Sequence, residues 1–105
     1  MKGLLTLFLL LSFLPAMAQD KPHKVTLTWN APTVDKSRPP AVGYNIYRSE
    51  GEHGKYTAIA HKVTAQTYTD GDVKSGHTYY YRVTSVDARS RESTAAVTKA
   101  TIPQN

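Results

Sequence analysis

Lys24-Val25-Thr26-Leu27-Thr28-Trp29 alternates polar and apolar residues without a slip, and its reading decides the fold class. Val25, Leu27 and Trp29 fall on one face. A period of two built from β-branched and aromatic residues is the signature of a half-buried strand. Asn30-Ala31-Pro32 ends it. Downstream the pattern returns. Val42 to Arg48 turns Tyr44 and Ile46 inward, Asn45 and Tyr47 outward. Ser49 to Gly54, with two glycines and two glutamates, reads as a hairpin turn. Lys55 to Ile59 is a short strand holding Tyr56, Ala60 to Gln66 a polar loop, and Thr67-Tyr68-Thr69 a very short strand. Asp70-Gly71-Asp72 and Ser75-Gly76 punctuate the next connection. Thr78 to Val86 is the longest strand, with Tyr79, Tyr81 and Val83 on one side. Tyr80, Arg82, Thr84 and Val86 take the other. After the charged turn Asp87 to Glu92, Ser93 to Ile102 reads as a last strand that Pro103 stops. No window carries a helical period with caps. Six or so short strands at even spacing predict an all-β antiparallel sandwich.

The first 18 of the 105 residues stand apart. Lys2 is followed by an apolar run from Leu4 to Leu14, then by Pro15 and the small-x-small site Ala16-Met17-Ala18. That order is the order of a secretory signal peptide, cleaved after Ala18. The run is too short to span a bilayer, which takes about 20 residues, and no later segment could span one. The expectation is therefore a secreted or periplasmic chain, Gln19 to Asn105, organised as a flexible segment 19–23, one domain 24–103 and a tail 104–105. That chain carries 12 basic against 8 acidic residues. So modest an excess favours solubility and weak attraction to anions, and export argues against nucleic acid as a partner. The sequence has no cysteine, which excludes a disulfide framework, a thiolate metal site and a cysteine nucleophile. A domain of this size builds one small core, too small to wall a deep catalytic cleft.

The residues assembled above resemble a fibronectin type III domain. The likeness rests on Val25-Thr26-Leu27-Thr28-Trp29-Asn30-Ala31-Pro32, on Gly43-Tyr44-Asn45-Ile46-Tyr47-Arg48, and on Tyr68-Thr69-Asp70. It continues through Val73 and Gly76-His77-Thr78-Tyr79-Tyr80-Tyr81-Arg82-Val83 to Glu92-Ser93. The Gly-Tyr-x-x-Tyr-Arg-Ser segment resembles the variant found in exported bacterial proteins. The resemblance implies an immunoglobulin-like sandwich with Trp29, Tyr44, Ile46, Tyr68, Tyr79, Tyr81 and Val83 in its core. It also implies that Tyr79 is the corner tyrosine, its hydroxyl bonded to backbone near Val73 to Gly76. The family's first strand precedes the Trp-bearing one. Here only Gln19 to Lys24 is available for it, so that strand is expected to be short or missing, leaving an edge open to pairing.

Chemistry is sparse. His23, His53, His61 and His77 lie in separate segments, off any metal-ligand spacing, and read as exposed turn residues. Asp70-Gly71-Asp72 lacks the further oxygen ligands of a calcium loop and reads as a turn. No phosphate loop, serine elbow or catalytic carboxylate pair is present, so neither an enzyme nor a cofactor is expected. Two surfaces are candidates for binding a protein or polysaccharide. One is an outer sheet face with Tyr47, Tyr80 and Arg82, an interface composition. The other is a basic pole, where the resemblance gathers the loops holding Lys36, Arg38, His61, Lys62, Arg89 and Arg91, opposite an acidic pole of Glu50, Glu52, Asp70 and Asp72. The vertebrate adhesion triplet of the sixth loop is not there: it reads Ala88-Arg89-Ser90-Arg91. Besides a binding module, a structural unit without a soluble ligand fits the sequence, either monomeric or weakly self-associating.

Overall fold

A computed structural model describes residues 6–12, 22–33 and 39–104. Within them the chain forms seven strands. They are β1 (Thr6–Ser12), β2 (His23–Asn30), β3 (Gly43–Ser49), β4 (Thr57–Val63), β5 (Thr67–Val73), β6 (Thr78–Val86) and β7 (Ala96–Thr101). Two antiparallel sheets result, one ordered β1-β2-β5 and the other β4-β3-β6-β7. They pack face to face as a sandwich.

The alternation along β2 is met as written. Val25 and Leu27 are wholly buried, Trp29 is nearly so, and Lys24 and Asn30 face solvent. The facing sheet contributes Tyr44, Ile46, Tyr79, Tyr81 and Val83, and Val73, Ala100 and Ile102 close the ends of the core. The Trp29 and Tyr44 rings meet edge to face, 5.3 Å between centroids. That arrangement sets the positive rim of one ring against the negative face of the other. Tyr68 is half-buried against the same cluster. The Tyr79 ring is buried while its hydroxyl accepts the Lys74 N–H at 2.9 Å.

The structure departs from the sequence reading at several places. The strand position before β2 is taken by β1, out of the apolar stretch read as a leader. It pairs along β2 from Thr6 opposite Asn30 to Ser12 opposite Lys24. The cleavage site at Ala16 to Ala18 lies outside the described residues. His23 is no exposed turn histidine: it is buried in β2, opposite Val73. β4 runs on to Val63 through the stretch expected to be loop. It can because the Asn45 side chain accepts the Lys62 N–H at 2.9 Å, holding a bulged strand in the sheet. β5 likewise runs past Thr69 to Val73, so Asp70-Gly71-Asp72 is strand and not turn. Val86, expected outward, is buried.

Candidate functional site

The outer face of the four-stranded sheet follows from its register. Tyr47 on β3 stands opposite Arg82 on β6, and Arg82 opposite Val97 on β7. One row along, Ser49, Tyr80 and Lys99 are aligned in the same way. Ser49 is small and buried, its hydroxyl held by the Gly51 backbone on both sides. Large neighbours therefore stand around a low place. Tyr56, just ahead of β4, forms one wall, and the Arg82 guanidinium lies 4.0 Å over its ring. A cation that close to a ring centroid is held by the ring's quadrupole, which fixes the long Arg82 side chain across the sheet. The result is an open groove of about 540 Å³ lined by Glu52, His53, Tyr56, Tyr80, Arg82, Val97, Thr98 and Lys99. Val97, on its rim, is 57% exposed, one of the two large aliphatic side chains so exposed among the described residues.

Of the three sheet-face residues read from sequence, the structure brings Tyr80 and Arg82 into this groove and leaves Tyr47 outside it. The Tyr47 hydroxyl donates to both carboxylate oxygens of Glu92, at 2.8 and 2.9 Å. Burial, with the Glu92 hydrogen bond next, holds the Tyr47 phenol above its ordinary range. Glu92 in turn is held below the usual carboxylate range, first by the Thr84 hydroxyl, which donates to it at 2.7 Å. Tyr47 is thus engaged in tying β3 to the turn after β6. Sequence reasoning missed Val97, Thr98 and Lys99 and, with the ring that forms one wall, Tyr56. Its place in a short strand next to a glycine-rich turn was visible, but its partner Arg82 lies 26 positions on, with β3 between them in the sheet.

The basic pole is thinner than its composition. Lys36 and Arg38 lie outside the described residues. Lys62 is exposed but its backbone is fixed in the β4 bulge, with φ at +50°. Arg91 is paired with Asp87 at 2.9 Å, and the Arg89 N–H donates to the same carboxylate. Those contacts, the Arg91 N–H first, hold the Asp87 carboxyl below its usual range. The acidic pole needs a correction. Asp70 is 4% exposed and points inward. It accepts the Tyr81 hydroxyl at 2.7 Å and the Arg48 guanidinium at 2.9 and 3.1 Å, and the Asp72 N–H donates to it as well. Arg48 also lies over the Tyr79 ring. Burial and the Asp70 hydrogen bond push the Tyr81 phenol far above its ordinary range. Glu50, Glu52 and Asp72 remain outside, Glu50 beside His77 at 3.3 Å. No group of three His, Asp or Glu that could hold a metal occurs among the described residues. No helix among them is long and apolar enough to cross a membrane.

Comparison with known proteins gives the same architecture. An Fn3-like protein from Clostridium thermocellum matches with a TM-score of 0.63 at 36% identity, over 78% of this chain and 79% of that one. An amylopullulanase of Thermoanaerobacter thermohydrosulfuricus is 50% identical over 70 residues, 67% of this chain. The chain spans only 4–6% of the length of the amylopullulanases it matches. Part of a β-1,2-glucanase from Parabacteroides distasonis matches with a TM-score of 0.61 at 28% identity, over 78% of this chain and 11% of the enzyme. No protein-family model matches.

Proposed function

We propose that this chain, which belongs to the fibronectin type III family, is an exported, non-catalytic accessory module that holds polysaccharide on the outer face of its four-stranded sheet. The observation that carries the reading is the groove at Tyr56, Tyr80 and Arg82. An aromatic face offers an apolar platform to the C–H face of a sugar ring. Arg82, Lys99 and Glu52 around it offer donors and acceptors to the hydroxyls. Relatives named for work on polysaccharides supply the context: amylopullulanases contain matching domains, as does a β-1,2-glucanase. The reading of export rests on the apolar run Leu4 to Leu14 followed by Ala16-Met17-Ala18.

The test titrates neutral pullulan and anionic polygalacturonate into the wild type, Tyr80→Ala and the double variant Arg89→Ser with Arg91→Ser, each at low and moderate salt. Binding at the groove is tolerant of salt, is lost in Tyr80→Ala and survives the double variant. Binding through the basic pole shows the opposite: screening beyond about 8 Å at physiological salt weakens it steeply. If neither polysaccharide binds any of the proteins, or if new reducing ends appear on incubation, the proposal fails.

A further inference from the structure

We infer that the exported chain, once residues 1–18 are removed, pairs with a second copy of itself edge to edge through β2, antiparallel and centred on Leu27. The starting observation is the pairing of β1. It comes from the apolar run read as a leader, and it lies along β2 over seven residue pairs, Thr6–Asn30 to Ser12–Lys24. The strand that covers the β2 edge and the segment that cleavage takes away are the same residues. Cleavage therefore leaves the outward-facing main-chain donors and acceptors of a seven-residue stretch of β2, those of alternate residues, open to a new strand, with β5 on the other side. The structure itself demonstrates that this edge takes an antiparallel strand.

What fits there is decided by β2. Sheet edges are ordinarily blunted by charge, proline, glycine or a bulge. The other edges here are: β5 carries Asp72 and Gly71, β4 carries its bulge at Lys62, and β7 carries Lys99. β2 carries Lys24 at one end, beside a register shift against β5 between His23 and Val25; from Val25 to Asn30 it has no charge, no proline and no glycine. The segment is also self-complementary. With Leu27 opposite Leu27 of the second copy, Val25 meets Trp29, Thr26 meets Thr28 and Lys24 meets Asn30. Every apolar residue stays on the inner face, no like charges meet, and the pairing uses Lys24 to Asn30, the residues that β1 covers. Shifting the centre by one residue keeps the faces but shortens the overlap. A two-fold pairing of this kind closes on itself, so it yields a dimer and not a fibre.

The proposal rests on export with removal of the leader, and the experiment reads that step separately. The full chain is expressed with export, the secreted form is recovered, and its intact mass reports whether residues 1–18 are gone. Sedimentation velocity across a range of concentrations then reports its oligomeric state. The expected result is a concentration-dependent dimer. Thr26→Lys with Thr28→Lys sets lysine against lysine twice across the two-fold and raises the dimer Kd by about tenfold or more. Thr26→Glu with Thr28→Lys sets glutamate against lysine in the same places and restores dimerisation. Circular dichroism confirms that both variants keep the fold. A mature chain that is monomeric at every concentration overturns the inference. So does a dimer indifferent to the lysine pair, or one that the Glu/Lys variant fails to restore. A secreted form that retains residues 1–18 removes its premise and overturns it too, while leaving polysaccharide binding to stand or fall on its own titration.

Discussion

Replacing Arg48 by alanine strands Asp70. The carboxylate is buried, and two of its hydrogen bonds come from that guanidinium. A buried charge that loses its ionic partner keeps its desolvation cost, offset here only by the hydrogen bonds from the Tyr81 hydroxyl and the Asp72 N–H. Arg48 is itself 20% exposed, so water recovers part of the loss, and we expect Arg48→Ala to cost about 2–3 kcal/mol in urea unfolding. Tyr79→Phe keeps the ring and loses only the acceptor for the Lys74 N–H, a cost of about 1 kcal/mol. Trp29→Ala empties the centre of the core at about 3–5 kcal/mol. A domain this small has only about 5–10 kcal/mol to lose, so that variant is mostly unfolded. Equal urea midpoints for Trp29→Ala and wild type would refute the core assignment. Trp29 and Tyr79 were legible because each sits in an unbroken period-two run. Asp70 was misread, although Tyr68 has the same parity and faces the core. The charge and the adjoining glycine argued for a turn, while the partner that makes burial tolerable lies 22 residues away.

At the scale of the strand, β3 and β6 are the middle of the larger sheet, and every residue from Gly43 to Ser49 is paired across to β6. Their amides open only when the sheet opens, whereas those of β4 and β7 can fray. Hydrogen exchange should therefore be slowest in β3 and β6; comparable rates in β4 would contradict the layered reading. The bulge that keeps β4 in register depends on Gly43, since a Cβ there would sit 2.9 Å from the Lys62 Cα. That neighbour is backbone and cannot swing aside, so Gly43→Ala should cost about 1–3 kcal/mol in thermal or urea unfolding. None of this could be read locally. Ala60-His61-Lys62-Val63 looks like loop because its own residues are polar or small, and it is made strand by Asn45 and Gly43 on the neighbouring segment. The groove escaped the sequence for the same reason: strand types follow from local alternation, but which side chains share a face follows from register across β3, β4, β6 and β7.

For the molecule as a whole, the perturbed groups define two limbs of a pH–stability profile. Glu92 and Asp87 have folded-state pKa values below their unfolded ones, held there by the Thr84 hydroxyl and the Arg91 N–H respectively. A lowered carboxyl contributes stability that is present above the unfolded value and is lost as pH falls through the folded one. The acid limb should thus begin near pH 4–5, where unfolded carboxylates titrate. Tyr81, Tyr44 and Tyr47 shift the other way, each chiefly through burial. The unfolded chain ionises its phenols near pH 10. The folded chain resists, so stability falls as pH rises above that value. The urea midpoint measured across this range should show a plateau with both limbs. Glu92→Gln should shallow the acid limb without abolishing it, because Asp87 remains. Tyr81→Phe should shallow the alkaline limb, after an initial loss at neutral pH from the missing hydrogen bond to Asp70. The two limbs are separable because Glu92 lies in the turn after β6, outside the core, while Tyr81 is wholly buried between the sheets. An alkaline limb as steep in Tyr81→Phe as in wild type would assign that loss to other groups and remove Tyr81 from the account.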